Sequence, residues 1–125
     1  MKIAVLIHKG CLANKKEVEV ATRQALHKKY DTFLIDSDRA ESQWVRDVVS
    51  RFPNVKLISS DDIRRDCTWI TKIWRRLFPV SNAILLVDGC DSVLVFWDKT
   101  PNAKKLVQVA SSRGVMKNVL IHRVG

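Results

Sequence analysis

The sequence Ser-Val-Leu-Val-Phe-Trp at residues 92–97, followed by Asp-Lys-Thr-Pro at residues 98–101, decides the fold class of this chain. Residues 92–97 are almost all apolar, which is typical of a β-strand that is covered on both faces. Thr100 and Pro101 match the N-cap and the first position of a helix. A doubly covered strand that leads directly into a helix predicts a parallel sheet with helices on both sides.

Strands and helices alternate along the rest of the chain. Apolar segments rich in β-branched residues predict further strands at Lys2–His8, Thr32–Ile35, Val55–Ser59 and Lys117–Val124. With the strand at residues 92–97, this order predicts a three-layer Rossmann-like α/β fold of about five mostly parallel strands. The length of 125 residues suits a single domain spanning residues 1–125.

Helical spacing of apolar residues predicts helices at Lys16–Lys29, from Asp38 onward with a capping box, and from Pro101 to Gly114. Ser60–Arg65 is predicted to be a polar connection. The helix that opens at Asp38 has a predicted inner face of Val45, Val48, Val49 and Phe52.

The segment Cys67–Cys90 is ambiguous. Apolar residues within Ile70–Leu77 predict a helix that Pro79 ends or kinks. Ala83–Val87 has two interpretations, because periodicity does not separate them. It is either a strand joined to residues 92–97 by the Asp88-Gly89 turn, or a second helix packed under the sheet.

Composition limits the classes of protein. No apolar run approaches the roughly 18 residues that a membrane span needs, and the first apolar run is too short for a signal peptide. A cytoplasmic protein without a membrane partner is therefore expected. Three widely spaced cysteines, Cys11, Cys67 and Cys90, predict unpaired thiols and no metal site.

The charge is strongly positive. The 22 Lys and Arg residues against 13 Asp and Glu give a net charge of +9, which attracts polyanions. Lys72, Arg75 and Arg76 lie at i, i+3 and i+4 and can share one helix face, which predicts a nucleic-acid surface as an alternative. Trp69 or Trp74, if exposed, would mark a homo-oligomer interface.

Polar loops follow the predicted strands, and ligands of open α/β sheets bind at the carboxyl ends of strands. Lys9 and Lys99 can face an anionic group, and Asp36 or Asp98 can accept a hydrogen bond from a ribose or a base. A further polar loop is Ser59-Ser60-Asp61. The candidate ligand-binding residues are His8, Lys9, Gly10, Asp36, Ser37, Arg39, Trp97, Asp98, Lys99 and Thr100.

Several of these residues also have a purely structural interpretation. Asp38 and Thr100 suit helix caps, and Trp97 suits the core as well as a stacking surface. His8 can act as a general base, but the sequence shows no evident carboxylate partner for it. No G-x-G-x-x-G, P-loop, G-x-S-x-G or metal-spaced His/Cys set is present, so no cofactor or metal is predicted.

The same loops resemble motifs of the SLOG superfamily, the Rossmann-like fold of the LOG, DprA and YspA/YpsA proteins. His8-Lys9-Gly10 stands where the family has a Gly-Ser-Arg-Gly type loop. Residues 36–42, Asp-Ser-Asp-Arg-Ala-Glu-Ser, stand at a Gly-Gly-Ala-Arg-Gly-Ala-Asp type loop and keep the Arg without the glycines. Residues 82–98 are similar to the family's Asn, apolar helix and strand that ends in Trp-Asp-Gly. Residues 99–102, Lys-Thr-Pro-Asn, stand at its Ser-x-Gly-Thr.

This resemblance implies that Ser81–Cys90 is helical and that the crevice holds a nucleotide or a nucleotide-derived ligand. The lost glycines narrow such a pocket or change what fits in it. The Pro-Gly-Gly-x-Gly-Thr signature of the LOG branch is absent, so its enzyme activity is not implied.

Three functions are consistent with the sequence. The first is a SLOG-type protein that senses or sequesters a nucleotide-derived ligand without strong catalysis. The second is a basic nucleic-acid-binding or protein-interaction module that has lost the pocket. The third is a hydrolase or transferase of nucleoside or nucleotide N-glycosidic bonds that uses Asp36 or Asp98.

Overall fold

The computed structural model describes residues 1–8, 14–28, 30–37, 39–65, 82–113 and 117–124. The strands are β1 (Lys2–Leu6), β2 (Thr32–Ile35), β3 (Lys56–Ser59), β4 (Ser92–Trp97) and β5 (Asn118–Arg123). The helices are α1 (Lys15–Leu26), α2 (Ser42–Val49), α3 (Ser60–Arg65), α4 (Asn82–Asp88) and α5 (Pro101–Arg113). None of the helices in these ranges is long and apolar enough to cross a bilayer.

The five strands form one parallel sheet in the order β3-β2-β1-β4-β5. This confirms the prediction of a three-layer Rossmann-like α/β fold. The central strand β1 pairs with β2 on one side and β4 on the other, so that Ala4 lies opposite both Leu34 and Val93. The strand order therefore reverses between β1 and β4, and the carboxyl ends of the strands at such a reversal are where open α/β sheets bind their ligands.

Alternate residues of β1 point to the two sides of the sheet. Ile3 and Val5 belong to a core cluster with residues of α1 and α2. Ala4 and Leu6 belong to a second cluster with residues of α4 and α5. Each of these four side chains is at most 2% exposed, which explains why β1 and β4 are apolar on both faces.

The helix α2 differs from its prediction at both ends. It begins at Ser42, its N-cap Glu41 makes no side-chain capping bond, and the predicted cap Asp38 lies outside the described residues. It ends at Val49 with Ser50 as C-cap, so Phe52 lies beyond the helix and is 43% exposed. The prediction of Phe52 on the inner face was therefore wrong, because the helical spacing does not continue to residue 52.

The prediction of a polar connection at residues 60–65 was also wrong, because this segment is the helix α3. Its start is a reciprocal cap between Ser59 and Asp62. The backbone N–H of Asp62 donates to Ser59 Oγ at 3.2 Å, and the backbone N–H of Ser59 donates to Asp62 Oδ2 at 3.0 Å. Ser-x-x-Asp is a capping-box pattern, so the sequence did contain the signal for this helix.

Residues 83–87 are helical, as the SLOG resemblance implied, and the hairpin interpretation is wrong. They lie in α4, in which Leu85, Leu86 and Val87 are buried. The predicted N-cap of α5 is confirmed, because Thr100 Oγ1 accepts from the backbone N–H of Ala103 at 3.3 Å. The helix predicted within residues 70–77 lies outside the described residues.

Candidate functional site

A histidine and an aspartate meet at the point where the strand order reverses. His8 lies two residues beyond the end of β1, and Asp98 directly follows β4. Nε2 of His8 is 2.7 Å from Oδ2 of Asp98, and the two residues are 5% and 7% exposed. His8 thus has the carboxylate partner that was not evident in the sequence.

Asp98 is held by a second partner, Thr100. The hydroxyl of Thr100 donates to Asp98 Oδ1 at 2.6 Å, and the backbone N–H of Thr100 donates to the same oxygen at 3.1 Å. Since an ionised carboxylate only accepts, Nε2 of His8 is the donor to Oδ2. The two carboxylate oxygens of Asp98 therefore orient the imidazole and fix the turn into α5.

The turn between Asp98 and Thr100 has an unusual backbone. Lys99 is exposed and has a φ of 67°, the one positive φ of a non-glycine residue in the described ranges. The left-handed conformation costs an L-residue about 1–2 kcal/mol. The hydrogen bonds from Thr100 to Asp98 hold this turn in place on both sides of Lys99.

A second polar group lies at the carboxyl end of β2. Asp36 is 8% exposed, and its Oδ1 accepts from Asn82 Nδ2 at 2.9 Å. Nε of Arg39 is 3.7 Å from Oδ2 of Asp36. Asn82 is the first residue of α4, so this contact fixes the start of that helix at the same rim of the sheet as the His8–Asp98 pair.

Two serines connect the ends of β2 and β3. The fully buried Ser60 accepts from the backbone N–H of Ser37 at 3.0 Å, and the two hydroxyl oxygens are 2.8 Å apart. Ser37 is one of the candidate residues predicted from the sequence, and Ser60 belongs to a polar loop predicted beside it. The rim thus contains carboxylates, an amide, hydroxyls and a guanidinium, which are the groups that bind ribose hydroxyls and phosphates.

Trp97 lies apart from this rim. Its side chain is partly buried and borders a groove of about 230 Å³ with Val107, Ile121 and Arg123. A larger cleft of about 300 Å³ lies between α1 and β5, on the other side of the sheet. These two cavities border β5, and neither is lined by His8 or Asp98.

Several candidate residues lie outside the described ranges. They are Lys9 and Gly10 of the first loop, Lys72, Arg75 and Arg76 of the alternative nucleic-acid surface, and Trp69 and Trp74. Within the ranges that the structure does describe, no three His, Cys, Asp or Glu side chains are grouped so that they could hold a metal ion.

Comparison of the chain with protein-family models, with curated proteins and with solved structures finds no match. The resemblance of its loops to SLOG motifs therefore stays a prediction from the residues. The fold and the contacts at the strand ends provide the basis for a proposal about function.

Proposed function

We propose that this chain is a divergent SLOG-type protein that binds a nucleotide or a nucleotide-derived ligand, as a sensor or a sequestering protein. The ligand occupies the crevice between the carboxyl ends of β1 and β4. The observation that carries the proposal is the buried His8–Asp98 pair, which lies where open α/β sheets bind their ligands.

A purely structural role explains this pair poorly. Replacing both partners of a buried hydrogen bond by apolar groups of the same shape can be nearly neutral or stabilising. Apart from Lys2 and Ser92 at their first positions, the two strands that lead to the pair are apolar. Polar groups that break the local pattern of a core concentrate at functional sites, which favours a ligand here.

Asp36 has the position of a ribose-binding residue. In Rossmann-type sites an acidic residue about 20 residues beyond the first helix start hydrogen-bonds ribose hydroxyls. Asp36 directly follows β2, the strand beside β1, and Asn82 orients its carboxylate. Arg39, whose side chain is 35% exposed, is available to pair with a phosphate from the same loop.

The backbone conformation of Lys99 also supports the SLOG resemblance. The family's Trp-Asp-Gly motif has glycine after the aspartate, and here Lys99 follows Trp97-Asp98. Its φ of 67° is the conformation that glycine adopts without strain. If the turn after the aspartate requires a positive φ, glycine is the residue expected there, as in the family's Trp-Asp-Gly motif.

Isothermal titration calorimetry with a nucleotide panel tests the proposal. The panel contains AMP, GMP, CMP, UMP, ADP, ADP-ribose and NAD, each titrated into the full chain. We expect at least one ligand to bind in the micromolar range or tighter. Because a hydrogen bond to a charged group contributes about 1.5–3 kcal/mol, Asp98→Asn or Asp36→Asn should weaken that binding by at least about tenfold.

Asp88→Asn is the matched control. Asp88 ends α4 at the opposite edge of the sheet, its side chain is 50% exposed, and its partner Arg113 is 3.5 Å away. This substitution removes the same charge and should leave binding unchanged. The proposal would be overturned if no nucleotide of the panel bound to the chain. It would also be overturned if a folded Asp98→Asn protein bound the nucleotide as tightly as the original chain.

The same His8–Asp98 contact favours one second candidate, cleavage of a nucleotide N-glycosidic bond. An imidazole oriented by a carboxylate can take a proton from a water whose oxygen bonds to C1′ as the C1′–N bond breaks, and the imidazolium can then give this proton to the leaving base. Chromatographic detection of free base after incubation with the bound nucleotide tests this candidate. Release that is lost in His8→Gln would support it, and a nucleotide recovered intact would exclude it.

A further inference from the structure

The charges of this protein are distributed unevenly along the chain. All 13 Asp and Glu residues lie before residue 99. Residues 99–125 contain no acidic residue and six basic ones, which are Lys99, Lys104, Lys105, Arg113, Lys117 and Arg123. Since the net charge is +9, this segment carries most of the excess positive charge.

The fold places this acid-free segment on one side of the molecule. It forms α5, which packs against the second core cluster, and the edge strand β5. Arg113 is 3.5 Å from Asp88, and Lys117 Nζ donates to the carbonyl oxygen of Val87, so both are engaged at the amino-end edge of the sheet. The four remaining cations are exposed and lie toward the carboxyl ends of the strands. They are Lys99, Lys104, Lys105 and Arg123.

A groove with an aromatic wall is bordered by Arg123, one of these four cations. Trp97 and Arg123 are register partners on the adjacent parallel strands β4 and β5, so their side chains lie next to each other on one face of the sheet. With Val107 of α5 and Ile121, which is 49% exposed, they border the groove of about 230 Å³. Lys104 lies three residues before Val107, hence on the adjoining part of the helix surface.

We propose that single-stranded nucleic acid binds along the exposed residues of this acid-free segment, with one base in the groove between Trp97 and Arg123. Lys99, Lys104 and Lys105 contact the phosphates on either side. An indole ring and a guanidinium plane bind the faces of bases by stacking. Bases are accessible in this way in single strands but not in a duplex, and an acidic protein would use the cations without needing the aromatic wall.

Fluorescence anisotropy of a labelled oligothymidylate, titrated with the full chain over a range of NaCl concentrations, tests this proposal. Three or four phosphate contacts predict a slope of about −2 to −3 for log K against log salt. Lys104→Ala with Lys105→Ala should reduce that slope by about 1.4. Loss of one stacked base should weaken binding by about tenfold in Trp97→Leu, and in Arg123→Lys, which keeps the charge but removes the planar group.

The double substitution Lys15→Ala with Lys16→Ala is the matched control. It removes the same two charges from another exposed helical pair, on α1 at the other side of the sheet. Apart from the general effect of a lower net charge, this control should change the affinity for the oligothymidylate by no more than about twofold. An effect equal to that of the Lys104 and Lys105 pair would overturn the proposal.

Two further results would also overturn it. One is unchanged oligonucleotide affinity in both Trp97→Leu and Arg123→Lys, which would indicate a general polyanion surface such as one for an acidic protein. The other is complete competition by phosphatidylserine vesicles of equal total charge. Arg123 lies on an exposed edge strand, so Arg123→Lys remains informative if Trp97→Leu fails to fold.

Discussion

Nε2 of His8 and Oδ2 of Asp98 are 2.7 Å apart in the folded protein, although 90 positions separate the two residues in the chain. The contact joins β1 to β4 at the carboxyl ends, where no other element separates these neighbouring strands. Since each residue is less than a tenth exposed, removing one partner takes away a buried hydrogen bond.

We therefore expect His8→Gln and Asp98→Asn each to lower the free energy of unfolding by about 1.5–3 kcal/mol, the range for a hydrogen bond to a charged group. The double variant should lose less than the sum of the two, because the residues interact. Urea denaturation of the three variants measures this coupling. Asp61→Asn, at an exposed position on α3, should change stability by no more than about 0.5 kcal/mol. Strictly additive effects would contradict a direct interaction.

Lys99→Gly should stabilise the protein. The left-handed backbone at φ 67° costs lysine about 1–2 kcal/mol, and glycine loses about 0.5–1 kcal/mol more than other residues in chain entropy. The expected net gain is about 0.5–1 kcal/mol, whereas Lys99→Val should be clearly destabilising. Thermal and urea unfolding of the two variants measure both effects. A Lys99→Gly variant that is less stable than the original chain would show that the backbone at Lys99 is not strained.

Phe33 and Phe52 should respond very differently to truncation. Phe33 on β2 is fully buried, and Phe33→Ala should lower the free energy of unfolding by about 3–5 kcal/mol. Phe52 is 43% exposed beyond the end of α2, and Phe52→Ala should lower it by less than about 1 kcal/mol. Equal losses in urea denaturation would indicate that Phe52 belongs to the core after all.

The buried thiol of Cys90 should make the folded protein lose stability as the pH rises into the alkaline range. Burial raises the pKa of the Cys90 thiol above its usual value, so the folded protein retains this proton more tightly than the unfolded chain does. The resulting stabilisation is complete below the usual thiol pKa of about 8.5 and is lost as the pH rises through the folded value.

Unfolding free energies of the original chain and of Cys90→Ala, measured from about pH 7 to pH 10, test this linkage. The original chain should lose stability more steeply on the alkaline side. Comparison of slopes separates this effect from the small cavity that the substitution creates. Parallel curves for the two proteins would show that the thiol does not contribute.

Local patterns were sufficient to predict most of the elements. β2 and β4 have the predicted bounds, because each is a short apolar run closed by polar residues. Thr100 and Pro101 predicted the start of α5 because capping chemistry involves only neighbouring residues. The helix α3 was missed although Ser59 and Asp62 form a capping box, since six residues carry little apolar periodicity.

The site was only partly predictable. Strand ends identified His8 and Asp98 separately as candidates, and both lie at the rim. Their contact depends on β4 entering the sheet beside β1, and the sequence does not state the order of strands. The orientation of Asp36 by Asn82 was missed for the same reason, because 46 positions separate the two residues.

The central position of β1 also governs how the protein can fold during synthesis. Ile3 pairs with Ser92, so one edge of β1 stays unpaired until Ser92 has left the ribosome. At 5–20 residues per second this delay is roughly 4 to 17 seconds. During that time β1 exposes an unpaired apolar edge, which favours aggregation of the nascent chain.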